Sequence, residues 1–136
     1  MKQPITKKKE RTHAWWLKKT NTDFNKMVRL EESNDSGYGI CVTCGKPKHY
    51  KESNAGHFKH GLDFVRDNQH FQCVYCNQFL SGNGTKYSLY MIDRYGRDRV
   101  DEILAMKNYK YSIPDLQEMR SNYKQKIKEY EKKIQS

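Results

Sequence analysis

An α+β protein is predicted, in which a small hairpin-and-helix core pinned by metal-binding cysteines is wrapped by an N-terminal helix and C-terminal helices. Three observations predict it. Two Cys-x-x-Cys pairs, Cys41/Cys44 and Cys73/Cys76, enclose a stretch that reads as two short strands and a polar loop. Apolar residues at helical spacing occur before and after that stretch. Only 35% of the 136 residues are apolar and the mean hydropathy is −1.10. A chain so short of core needs a staple, and four cysteines around one ion supply it. The knuckle spacing lets a tight turn aim two thiolates at the same ion, which favours zinc ligation over disulfides.

The formal charge is +10, from 26 Lys and Arg against 16 Asp and Glu, with a pI near 9.4. Such an excess favours a polyanionic partner, because each neutralised phosphate releases condensed counterions. Membrane partners are disfavoured: the sequence has no apolar run long enough to span a bilayer and no signal-peptide core, and its basic segments lack an amphipathic stripe. A cytoplasmic setting, where thiols stay reduced, is expected.

Taken in order, residues 1–13 read as a disordered basic arm, with Lys7, Lys8, Lys9 and Arg11 able to track phosphates or simply to be solvated. Residues 14–36 hold a helix with Trp16, Phe24, Met27 and Val28 on one face, closed by a turn-rich connector. Trp15 and Trp16 are expected to pack against the zinc module rather than stack on bases. Residues 37–84 form the core: first knuckle, a strand at 54–58, a loop at 59–67, a return strand at 69–73, the second knuckle and a short helix at 77–80. Residues 85–136 are helical. Thr85 is read as the cap of one helix with a broad apolar surface (Tyr87, Leu89, Tyr90, Met91, Ile92), and Asp98 as the cap of the next. Ser112, Pro114 and Asp115 mark the start of the last helix. Its Leu116, Met119, Tyr123, Ile127, Tyr130 and Ile134 make a seam that either folds back on the first helix or pairs two chains, the former favoured.

Four cysteines leave zinc coordinatively closed, so any chemistry must come from other residues. His57 lies between the knuckles, and an imidazole suits a base that deprotonates water near neutral pH. Asn68 is placed to steady the His57 loop through its backbone, and Asn77, next to Cys76, offers the kind of oxygen a hard cation takes. On His57 alone, a plain zinc ribbon with a packed or hydrogen-bonded histidine is the favoured reading.

His57, Asn68 and Asn77, set around the second knuckle, resemble the His…Asn…His/Asn motif of the HNH, or ββα-metal, nucleases. CVTCG, AGHF, DNQHFQC, CN and LSGN, continuing through RYGRDRVDEIL to YSIPDLQEMRSNYKQKIKEYEKK, are similar to the NinG family of phage recombination proteins over about residues 14–133. The resemblance implies a zinc-stabilised ββα-metal (HNH) core and a structure-selective endonuclease acting on Holliday junctions and D-loops. By it, His57 is the general base, Asn68 steadies its loop and Asn77 is a ligand of magnesium or manganese. His70 and Asn83 match further family positions: His70 as a phosphate or metal contact, Asn83 as a shaper of the helix break. The residue before the catalytic histidine is commonly an Asp or His that binds metal, and here it is Gly56; Asn54, two residues back on the same face, is the substitute donor expected.

The reading is therefore a metal-dependent endodeoxyribonuclease with structural zinc and a catalytic divalent cation. Lys7, Lys8, Lys9, Arg11, Lys59 and Arg66 would hold the backbone of branched DNA, and a homodimer through helical segments would deliver paired cuts. The alternatives are a non-catalytic zinc module that binds DNA as a recombination accessory, and a scaffold that docks a protein through the last helix.

Overall fold

The computed structural model describes residues 10–135, so Lys7, Lys8 and Lys9 lie outside the described residues. The described residues form a mixed α+β fold with two small antiparallel sheets among four α-helices.

Helix α1, His13–Glu31, starts one residue earlier than its apolar pattern indicates. Thr12 caps it, its Oγ1 accepting from the Trp15 N–H at 3.1 Å and so satisfying one open donor of the first turn. Phe24, Met27, Val28 and Leu30 are buried together with Tyr50, Ala55, Phe71 and Ile127. Helix α4, Ile113–Gln135, lies along α1 and completes this cluster. Its start is a reciprocal cap: the Asp115 N–H donates to Ser112 Oγ, and the Ser112 N–H to Asp115 Oδ2. Leu116 and Ile127 of the seam are buried, and Tyr123, Tyr130 and Ile134 pack at the edge of the cluster. Fully burying each such aliphatic chain is worth about 1.5–3 kcal/mol. Thr20, fully buried and donating to the Leu116 carbonyl, is the small residue that lets the two helices approach. The seam thus folds back on α1.

Strands β1 (Tyr38–Ile40) and β2 (Pro47–His49) pair across the first knuckle, a second hairpin that the sequence pattern does not announce. Strands β3 (Ser53–His57) and β4 (Gln69–Cys73) form the central hairpin, with Ala55 opposite Phe71, Gly56 opposite His70 and His57 opposite Gln69. Since cross-strand partners share a face, Ala55 and Phe71 point into the α1 cluster while Gly56, His70 and Gln72 take the other face. After β4 comes a wide π-type turn, Tyr75–Phe79, followed by α2 (Gly84–Tyr95) and α3 (Arg97–Ala105). Tyr87, Met91, Val100, Ile103 and Leu62 form a second cluster, and Tyr87 Oη donates to the Gly56 carbonyl at 2.7 Å.

Three expectations are corrected here. Thr85 lies within α2; Asn83, in the left-handed region with φ 49°, occupies the cap position without a side-chain cap bond. Asp98 sits in the first turn of α3, whose cap is Gly96. Leu89 and Ile92 are exposed, because the second cluster needs only the Tyr87–Met91 side of the helix. No described helix is long and apolar enough to cross a membrane.

Candidate functional site

The four cysteine sulfurs all lie within 4.8 Å of one another, and Cys44 Sγ is 3.7 Å from Cys73 Sγ. A tetrahedron with metal–sulfur bonds of about 2.3 Å has edges of about 3.8 Å, so this set fits an ion such as zinc. Local structure aims each ligand. Gly45, at φ 77°, reverses the first knuckle, and its N–H donates to the Cys41 carbonyl. Cys73 ends β4, and Cys76 lies on the π-type turn with its own N–H 3.4 Å from Cys73 Sγ. The Thr43 hydroxyl sits 3.3 Å from Cys41 Sγ, and Asn83 Nδ2 donates to Cys76 Sγ at 3.8 Å. Burial pushes the Cys41 thiol up, but the hydrogen bonds from Thr43 and nearby backbone N–H groups outweigh it and hold Cys41 well below the usual thiol range. Burial and the neighbouring sulfurs push Cys44 and Cys73 up. A metal bound by the four sulfurs would supply the positive charge that favours their thiolate forms. With four thiolates as ligands, the ion has no open position.

His57 closes β3 and faces the α1 side of the hairpin. It lines a groove of about 630 Å³ with Lys18, Asn25 and Arg29 of α1 and His60 and Asp63 of the loop. No described residue hydrogen-bonds its ring. Burial pushes its imidazole below the ordinary value, His60 adds to this, and Asp63 opposes it. The neutral form that can take a proton is therefore favoured. The loop after His57 is clamped by Asn68, which is fully buried: the Lys59 N–H donates to Asn68 Oδ1 at 2.7 Å, and Asn68 Nδ2 donates to the Lys59 carbonyl at 2.9 Å.

Asn77 reaches the hairpin from the π-type turn. A Cβ built on Gly56 would lie 3.1 Å from Asn77 Oδ1 and 1.7 Å from Gln72 Oε1, so the absent side chain is what admits both amides. Gln72 is fully buried; its Nε2 donates to Thr43 Oγ1 and to the Gly82 carbonyl, while its Oε1 has no partner among the described residues. Leaving such an oxygen unpaired costs about 1–3 kcal/mol. Gly56→Ala is expected to displace the Gln72 amide and lower stability by about 1–3 kcal/mol, as overpacking does. Urea denaturation measures this, and an unchanged midpoint would contradict the close approach.

Other candidate residues are committed elsewhere. Lys59 Nζ donates to the Leu104 and Met106 carbonyls at the end of α3, where a cation also complements the helix dipole. Arg66 is paired with Glu31 and Glu32 and donates to the Gln69 carbonyl. Neither is thus a free phosphate contact: both loop cations satisfy internal acceptors. His70 has both ring nitrogens engaged, Nδ1 by Glu32 at 2.8 Å and Nε2 by Tyr95 Oη and the Asp67 carbonyl, so it offers none to a metal. Asn83 bends the chain at the helix break and contacts Cys76. Asn54 pairs across from Gln72 on the Gly56 face, lines the His57 groove and has an unpartnered Nδ2. Trp15 and Trp16 stack edge to face beside Arg120 of α4, and Arg11 lies over Trp15 at 5.0 Å, so the tryptophans serve the helix pair rather than the zinc module. Gln72, Lys18, His60 and Asp63 were not singled out by the sequence, because no spacing marks them.

The sequence profile of a family described as "Bacteriophage Lambda NinG protein" matches residues 1–133. The chain is 31% identical over 134 residues to Protein ninG of Escherichia phage 933W, covering 94% of this chain and 64% of that protein. Protein ninG of Escherichia phage lambda and that of Salmonella phage P22 are likewise 31% identical over 134 residues and 94% of this chain, with 63% and 64% of their own lengths covered. The chain thus spans a little under two thirds of the curated relatives it matches. No solved structure matches it.

Proposed function

Because the chain belongs to the NinG family of bacteriophage proteins, we propose that it is an HNH-type endonuclease that cuts branched DNA, such as Holliday junctions and D-loops, by metal-dependent phosphodiester hydrolysis. One observation carries this reading: a half-buried imidazole with no hydrogen bond to a described residue, His57, directly follows the glycine over which Asn77 presents an amide oxygen.

His57 takes a proton from a water molecule whose oxygen then attacks phosphorus in line. The bond from phosphorus to the 3′ oxygen breaks, solvent returns a proton to that oxygen, and the products are a 5′-phosphate and a 3′-hydroxyl. Asn68 holds the loop so that the imidazole keeps its place. Oxygen donors at Asn77 and Asn54 fit a hard divalent ion. Magnesium or manganese held there would neutralise charge on the leaving oxygen. The zinc cysteines tie the turn carrying Asn77 to the hairpin carrying His57. Lys18 beside the groove, with the basic arm, gives DNA binding a steep salt dependence. A homodimer would supply two sites for paired cuts, on a surface other than the α4 seam that α1 covers. The setting is the host cytoplasm.

The His57 shift sets the pH dependence. A base must be neutral, so activity rises with pH through the His57 pKa and levels off above it. Since that pKa lies below the ordinary 6.5, the acid limb of kcat/KM is expected below that value. A limb above 6.5 would point to another base. The activity itself is tested by incubating zinc-loaded protein with labelled four-way, flap and linear DNA, with and without magnesium. Metal-dependent cuts in the branched substrates are expected. Binding without cuts in magnesium or manganese would leave a DNA-binding accessory protein.

A further inference from the structure

We propose that Gln72 supplies a divalent-cation ligand, its Oε1 joining Asn77 Oδ1 above Gly56. The inference rests on the nuclease reading for the purpose of the ion, and on the side chains themselves for its place.

Gln72 is fully buried, yet its amide is only half satisfied. The orientation of that amide is fixed by its other end. Nε2 donates to the Gly82 carbonyl at 2.9 Å and to Thr43 Oγ1 at 3.1 Å. Exchanging oxygen and nitrogen would set Oε1 against the Gly82 carbonyl, two acceptors face to face. The oxygen is therefore held over Gly56, at a point a Cβ would fill, and Asn77 Oδ1 lies 3.1 Å from that same point. Two neutral amide oxygens brought to one point offer the kind of oxygen ligand a hard cation takes.

The anchors are as informative as the donor. Thr43, which accepts from Gln72, also contacts Cys41 Sγ, and Gly82 follows the turn that carries Cys76 and Asn77. The cysteine cluster thus fixes the Gln72 amide through Thr43 and carries the Asn77 backbone through Cys76. On β3, the residue at the cradle is glycine, and a side-chain ligand there is sterically excluded while Gln72 is in place. A further oxygen, beside those of Asn77 and Asn54, comes from β4, from the residue paired with Asn54.

The test uses full-length zinc-loaded protein and Mn2+ alone. Wild type is titrated by electron paramagnetic resonance, and protein carrying glutamine labelled with carbon-13 at Cδ is studied by pulsed electron–nuclear double resonance. A carbon-13 coupling from a directly ligated amide is expected. It should vanish in Gln72→Leu, together with at least a tenfold loss of Mn2+ affinity at unchanged zinc content. Should Gln72→Leu fail to fold, the wild-type coupling still decides. Absence of that coupling, or Gln72→Leu binding Mn2+ as wild type does, would overturn the assignment. Magnesium-dependent cleavage alongside either result would leave the nuclease reading standing, whereas Mn2+ bound at Gln72 in a protein that cuts no DNA would sink that reading and keep the site.

Discussion

His57→Ala is expected to reduce magnesium-dependent cleavage of a four-way junction by about 10²–10⁴-fold, the contribution of a positioned general base, while junction affinity stays within about twofold at constant salt. The ring is half-buried, has no hydrogen bond to any described residue and lies at the edge of the groove rather than in either apolar cluster. Its removal therefore deletes a proton acceptor without breaking an internal bond. Lys18, which would meet phosphate in the same groove, is untouched. Single-turnover cleavage and electrophoretic shifts on one junction separate the two effects. Equal losses of binding and cleavage would make His57 a DNA contact and not a base.

Denying the four cysteines a metal ion is expected to have the larger effect on stability. Cys41, Cys73 and Cys76 are buried as a cluster of their own, apart from the α1–α4 cluster and the α2–α3 cluster. An ion held by the four sulfurs would join the first knuckle, the end of β4 and the turn that leads to α2. Structural zinc contributes apparent binding free energies of about 10–16 kcal/mol at neutral pH, comparable to the whole stability of a typical domain. Cys76→Ser, or chelation of the wild-type protein, should abolish the cooperative thermal transition of the hairpin and its flanking turn, with the α1–α4 pair the element that retains helical signal longest. Retention of a sharp, unshifted transition with zinc removed would contradict a folding role for the cysteines.

What was legible in the sequence was local or periodic. Cys-x-x-Cys spacing marks a ligand set whatever surrounds it, Ser112 and Asp115 cap a helix at a fixed separation, and Leu116 to Ile134 recur at the steps of one helix face. The hydrogen bonds of Asn68 to Lys59 could be anticipated for the same reason, since they span a single loop. What was not legible depends on register and on partners distant in sequence. Gln72 becomes visible only once Gly56 is known to lie opposite His70, which turns the Gln72 amide toward the glycine. Lys59 and Arg66 look like free cations in a basic chain until the end of α3 and the Glu31–Glu32 pair arrive beside them. Strands of three residues, as in β1 and β2, are too short for alternation to register. The exposure of Leu89 and Ile92 follows from how little of α2 the second cluster covers, a matter of packing that periodicity leaves open.

The central claim is hydrolysis of branched DNA by this site, and end-group analysis of the products tests it most directly. Zinc-loaded wild-type protein is incubated with an end-labelled four-way junction in magnesium, and the nicked strands are offered to DNA ligase. The account predicts cuts near the branch point that require the metal, are lost in His57→Ala and are resealed by ligase because they carry 5′-phosphate and 3′-hydroxyl ends. A junction left intact in both magnesium and manganese, or cuts that persist in His57→Ala, would contradict it.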